Sequence, residues 1–249
     1  MHPTRHPIRE IRDQYLDNTD RFAEYHEQRL DPEHDVRTEA NFPLAVIHIA
    51  PKLAFSKAAT RFPVPELLDR DIRLHSGSSR PRHPEMKANG IACSSDPAPQ
   101  RGQGGSEVRL YENGVLELTT ARVSYERGER HLISDSSLTD PIAWNLSIVL
   151  SLLAEQRQDQ KVLVTATFIG FDGTRFNAHR PTSPVTDDYV QAPVLSFSAH
   201  DASENGTSYN LRTEYVKELF RPLIHSAGRE DVPMDIPETL DLPDLSLDE

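Results

Sequence analysis

From about Ile8 to Leu30, Ile8, Ile11, Tyr15, Phe22 and Tyr25 recur at helical spacing among charged and amide residues, which predicts an amphipathic helix stopped by Asp31-Pro32. The steps of three, four, seven and three also trace a quasi-heptad seam with Asn18 at its missing position. The ordinary reading of such a helix is one laid against its own domain. Leu44 to Ala50, an apolar run bounded by Pro43 and Pro51, reads as a short buried strand. His48 lies inside it, where a histidine is more readily a hydrogen-bonded core residue than a ligand. Pro63, Pro65, Glu66, Leu67 and Leu68 suggest a short helical turn.

Farther along, Glu107 to Tyr111 and Val115 to Thr119 flank Asn113-Gly114, and the spacing predicts a hairpin closed by a two-residue type I′ turn. Arg122 to Tyr125 and His131 to Ser134 would extend the same sheet. Thr139-Asp140-Pro141 reads as a cap followed by proline at the first helical position. It leads into a helix, Ile142 to Ala154, that is apolar nearly all round (Ile142, Trp144, Leu146, Ile148, Val149, Leu150, Leu152, Leu153) and so belongs at the centre of a core. Lys161 to Phe171 is a long strand, with Val190 to Ala199 pairing on or near it. A last helix, Leu211 to Ala227, is capped by Asn210, carries the stripe Leu219, Phe220, Leu223, Ile224, contains Pro222 and ends at Gly228.

The pattern therefore predicts an α+β fold: a mostly antiparallel sheet with a buried central helix, an N-terminal amphipathic helix and a C-terminal helix. Three regions follow: residues 1–40 as helix and linker, 41–228 as one domain, and 229–249 as a tail. With eight carboxylates, one arginine and three prolines, the tail is expected to be disordered. Segments 76–82 and 94–106, small, basic or rich in Pro, Gly and Ser, read as flexible insertions.

Composition narrows the chemistry. A net charge of -12 over 249 residues, with a mean hydropathy of -0.57, argues against an extended basic DNA-binding protein and predicts neither a secretory leader nor a membrane span. The expectation is a cytoplasmic protein. Residues 70–109 form the one locally basic stretch, but without aromatics interleaved for base stacking it reads as a solvated surface. The single cysteine, Cys93, offers neither an internal disulfide nor a zinc motif and has no nucleophile signature around it. The eleven histidines have no metal-ligand spacing, and Asn145 and Asn205 match the glycosylation triplet only by chance. No catalytic, cofactor-binding or metal-binding residue emerges, and no cofactor is implied.

Four segments in order, HPIREIRDQYL (6–16), PLAVIHIAP (43–51), EVRLYENGVLEL (107–118) and ELFRPLIHSAG (218–228), resemble the region that follows the ATP-binding, DNA-associated domain of bacterial Schlafen/AlbA-type regulators. That preceding domain does not lie within these 249 residues, so its ATP- and DNA-linked functions transfer to no residue here. The resemblance implies a non-enzymatic accessory or regulatory interaction domain. Two alternatives remain open: a small enzyme or ligand sensor built around His48 and the hairpin, and a DNA-binding factor using Arg73 to Arg101. If the first helix lacks the cover of a preceding domain, Ile8, Ile11, Tyr15, Phe22 and Tyr25 become the residues for binding a protein partner or a second copy. Neither a membrane nor a specific nucleic acid is expected as a partner.

Overall fold

The computed structural model describes residues 18–30, 42–56, 59, 61–70, 72–77, 80–98, 103–128, 130–133, 135–156, 161–176, 183–198, 211–228 and 239–240. Among them the fold is α+β and mostly antiparallel. An eight-stranded sheet has the path β10-β8-β1-β5-β4-β3-β2, with β11 also paired to β8. Its members are β1 (Leu44–Pro51), β2 (Glu85–Lys87), β3 (Gly90–Ser95), β4 (Ser106–Tyr111), β5 (Leu116–Thr120), β8 (Lys161–Ile169), β10 (Tyr189–Gln191) and β11 (Leu195–Ser198).

Strand alternation gives this sheet two different faces. One carries Ala45, Ile47 and Ile49 of β1, Val162, Val164, Ala166 and Phe168 of β8, Leu116 and Leu118 of β5, and Val108 and Leu110 of β4, all in the main core cluster. It is covered by helix α2 (Val64–Asp69), by the long helix α3 (Asp135–Glu155) and by α4 (Thr213–Ser226). Leu219, Phe220, Leu223 and Ile224 of α4 are buried as their stripe requires, and Gly228, at φ +67°, ends the helix with its N–H on the His225 carbonyl at 2.8 Å. By length and composition Ser137–Glu155 could cross a membrane, yet 72% of it is buried inside this core.

Several sequence expectations are corrected. Helix α3 starts at Asp135, so Pro141 is internal rather than its first residue. Leu138, one turn before Ile142, extends the apolar stripe into the core, and its burial offsets the hydrogen bond that the proline cannot donate. Trp144 is only partly buried and sits at the core's edge, because its Nε1–H reaches out to the Arg73 carbonyl at 2.7 Å. Strands β6 (Ser124–Arg127) and β7 (Arg130–Ile133) do not extend the main sheet; they form a separate three-stranded sheet with β9 (Arg175–Phe176), which runs parallel to β7. Both edges of β5 are already occupied, by β1 and β4, leaving the following hairpin no place beside it.

The Asn-Gly turn is also of another kind. Only Gly114 has a positive φ (+82°), its N–H donates to the Tyr111 carbonyl, and the Tyr111 N–H donates to the Val115 carbonyl. That is a three-residue loop with a bulge at glycine, not the two-residue type I′ turn, which needs positive φ at both central residues. In segment 94–106, Ser94, Ser95 and Ser106 belong to strands β3 and β4, and Ala98 and Gln103 form a bridge. Beside segment 76–82, Leu74 and Arg82 form a bridge. In the tail, β13 (Thr239–Leu240) pairs with β12 (Leu211–Arg212), so these two residues have regular structure despite the prolines nearby. The rest of the tail, Asn210 and Asn205 lie outside the described residues.

Candidate functional site: a polar relay beneath the N-terminal helix

The second face of the sheet is polar. Register places Glu85, Ala92, Arg109, Glu117, His48 and Thr165 in one row across β2, β3, β4, β5, β1 and β8. The next row contains Ser94, Glu107, Thr119, Val46, Thr167 and Gln191. Helix α1 (Asn18–Arg29) lies over the β1–β5–β8 part of this face, together with a 3-10 turn, Lys52–Phe55. Phe22, Tyr25, His26 and Arg29, spaced i, i+3, i+4 and i+7, share one side of α1 and reach the sheet together. Phe22 is fully buried in a small second core with Ala50, Ala54, Val115 and Leu163, against which Tyr25, Phe55, Tyr111 and Val194 pack.

Beside that cluster, Thr167 Oγ1 is 2.7 Å from His26 Nε2, and His26 Nδ1 is 2.5 Å from His48 Nδ1. His48 Nε2 lies 2.9 Å from Glu117 Oε2, and Arg29 closes the line with two donations to Glu117, Nε–H to Oε2 and Nη2–H to Oε1, both at 2.7 Å. His26, His48, Thr167 and Glu117 are all buried; the Arg29 side chain is 25% exposed and opens the line toward solvent.

The electrostatics fix the direction of donation. Burial pulls the Glu117 carboxyl upward, but hydrogen bonds from His48 and Arg29 outweigh it and hold the group at about 2, so it is an acceptor only. Its partner atom, His48 Nε2, therefore carries a proton. With both rings neutral, the remaining assignments follow one by one: His26 Nδ1–H donates to His48 Nδ1, and Thr167 Oγ1–H donates to His26 Nε2. All four ring nitrogens are then satisfied. Burial, and then the neighbouring His48, push His26 down to about 3. Tyr25 and Tyr111, both packed at the margin of the small second core, are pushed upward by burial first and then by Glu117. Tyr25 also stands edge-on to the His48 ring, with centroids 5.2 Å apart.

Chemically this is a continuous hydrogen-bonded line, Thr167 to His26 to His48 to Glu117, with hydroxyl, base and orienting groups in the order that nucleophilic catalysis uses. The hydroxyl end is sealed, however, and every ring nitrogen is spent on an internal partner. Among the described residues no group of three or more His, Cys, Asp or Glu side chains is placed to hold a metal ion.

Of the residues expected to bind a partner, Ile8, Ile11 and Tyr15 lie outside the described residues. Phe22 and Tyr25 are brought together, but against the chain's own sheet. For Phe22 the expectation of an uncovered stripe is corrected, since the 3-10 turn and the β1–β8 ridge supply its cover. His48 is the hydrogen-bonded core residue its strand predicted. Nothing in the apolar periodicity or in residue spacing marks His26, Arg29, Glu117 and Thr167 as a set. Their signal was the polar half of two patterns: His26 and Arg29 on the helix side of Phe22, and Glu117, Thr165 and Thr167 at alternate positions in otherwise apolar strands.

A second polar cluster joins the loop before β2 to α3. Buried Asn145 accepts the His75 N–H at 3.0 Å and donates to the His75 carbonyl at 2.8 Å, serving as a surrogate strand partner. The Gly77 N–H donates to His75 Nδ1, and burial lowers His75 to about 4. Cys93 donates to the Leu74 carbonyl at 3.4 Å, and burial pushes its thiol up to about 11. Both residues hold this loop in place and neither is primed for reaction.

No family model, curated protein or solved structure matches the chain.

Proposed function

We propose that the chain is a non-enzymatic accessory domain of regulatory type, whose N-terminal helix rests on the sheet through a separable polar contact and is the element presented to a protein partner. The observation that carries this reading is the relay itself. A helix held by Phe22, Tyr25, two imidazoles, an Arg29–Glu117 pair and an Arg21 donation to the Phe55 carbonyl has a small apolar footing beside an extensive hydrogen-bonded one. Such contacts contribute little net stability, because water offers the same groups equivalent partners on release. The ordered resemblance to the region after the ATP-binding domain of Schlafen/AlbA-type regulators supports the same reading, since in those proteins a segment like 6–16 adjoins that domain.

Amide hydrogen exchange on wild type and on Arg29→Gln/Glu117→Gln tests it. The expected outcome is loss of protection over 18–29 with β1, β5 and β8 still protected. Simultaneous loss in helix and sheet would make α1 an ordinary part of the core and defeat the proposal.

A second reading, a small enzyme or ligand sensor, is favoured by one observation, the 2.7 Å bond from the Thr167 hydroxyl to a histidine oriented by another histidine and a carboxylate. Covalent labelling of Thr167 by an acyl-transfer probe, abolished in His26→Phe, would favour it over the accessory reading.

A further inference from the structure

The polar face holds its two histidines in an unusual way, ring nitrogen against ring nitrogen. His26 Nδ1 and His48 Nδ1 lie 2.5 Å apart with room for one proton between them. One proton beyond the neutral pair can be accommodated: His26 then donates from both nitrogens, to His48 Nδ1 and to the Thr167 oxygen, and the Glu117 carboxylate stands beyond the second ring. Two cannot, since fully protonated rings would set N–H against N–H at that distance. Rings separated into water have no such limit, since an imidazole in water ordinarily takes its proton near about 6.5.

From this geometry we infer that the His26–His48 contact is a proton-operated latch, closed at neutral pH and opened by acid, which releases helix α1 from the sheet. The inference rests on the accessory reading above and names its regulation: the signal is a fall in pH, and the response is exposure of the helix side bearing Phe22, Tyr25, His26 and Arg29.

The surroundings leave the rings as the groups that respond. Facing them are Tyr25 and Arg29 on α1 itself, Arg109 and Tyr111 on β4, Glu117 on β5 and the Thr167 hydroxyl on β8. The two phenols and the two guanidiniums are displaced upward, so both tyrosines stay neutral and both arginines charged at neutral and mildly acid pH. Glu117, at about 2, stays ionised there. The low position of His26, set first by burial and then by His48, agrees in direction.

The sign follows from counting protons. The docked pair binds fewer than the released pair, so docking is favoured above about 6.5 and weakens below it. A deficit of one proton weakens docking about tenfold per pH unit, and a deficit of two weakens it more steeply.

The test is carried out on the full chain between pH 8 and pH 5, reading the exchange protection of residues 18–29 and the imidazole NMR signals together. Protection over 18–29 should fall progressively below pH 6.5, reaching about tenfold or more per unit near pH 5 beyond the intrinsic exchange rate, while β1 and β8 stay protected. His48→Asn should dock more weakly at pH 8 and respond far less to acid. Flat protection in wild type, or imidazole signals reporting both rings protonated with the helix still docked, would overturn the latch. In either case the accessory reading survives if Arg29→Gln/Glu117→Gln still frees the helix at pH 8, and it fails if that variant loses helix and sheet together.

Discussion

Asn145 shows what a single buried amide does in this fold. Its two bonds complete the backbone of His75, so Asn145→Ala strands a buried N–H and a buried C=O together. The expected cost is about 2 to 4 kcal/mol, read from the denaturant midpoint at unchanged slope. Neighbouring Trp144→Phe removes one bond at a partly exposed edge and should cost about 1 kcal/mol. Had both residues filled the middle of the core, as an all-round apolar helix suggests, the order would be reversed. Cys93 offers a chemical check: with burial raising its thiol to about 11, alkylation at pH 8 should be slow in the native protein and fast after unfolding. Rapid native labelling would contradict that burial. His75, lowered to about 4, binds its proton more readily when unfolded. Its contribution is therefore full above about 6.5 and is lost as pH falls through 4.

Among the elements, the β4–β5 hairpin is fixed by one glycine. Gly114 has φ +82°, and a Cβ there would fall 2.0 Å from Phe62 Cε2. Gly114→Ala should cost more than the roughly 1 to 2 kcal/mol of left-handed backbone alone, because Phe62 must also move; a thermal shift below that of an exposed Gly128→Ala control would contradict the assigned turn. The strands were legible because their signal is local: proline fences at 43 and 51, alternation in β4 and β5, and an apolar run in β8. Partner and turn choice were not, because they depend on which edges remain free and on which residue takes the positive φ. Pro141 is a further instance, since the local rule places it first in a helix that in fact begins six residues earlier, at Asp135, with Leu138 of that extension buried in the core. The candidate site was half legible: His48 declared itself, whereas His26, Arg29, Glu117 and Thr167 become a site only when α1 is laid over the polar sheet face.

At the scale of the whole molecule, the net charge of -12 governs encounters with polyanions. Within the basic stretch, Arg70 is paired with Glu155, Arg109 with Glu107 and Lys87 with Glu85. Salt-sensitive binding of duplex DNA by this chain should accordingly be absent at physiological ionic strength, and submicromolar binding that weakens steeply with salt would contradict this. The more consequential claim is that helix and sheet communicate through the relay. His26 and Glu117 share the His48 ring between them, so a double-mutant cycle of His26→Phe and Glu117→Gln, measured as stability at pH 7.5, addresses that claim most directly. The expected coupling is about 1 to 3 kcal/mol, as for members of one network; additivity within about 0.3 kcal/mol would mean that the four side chains merely lie near one another.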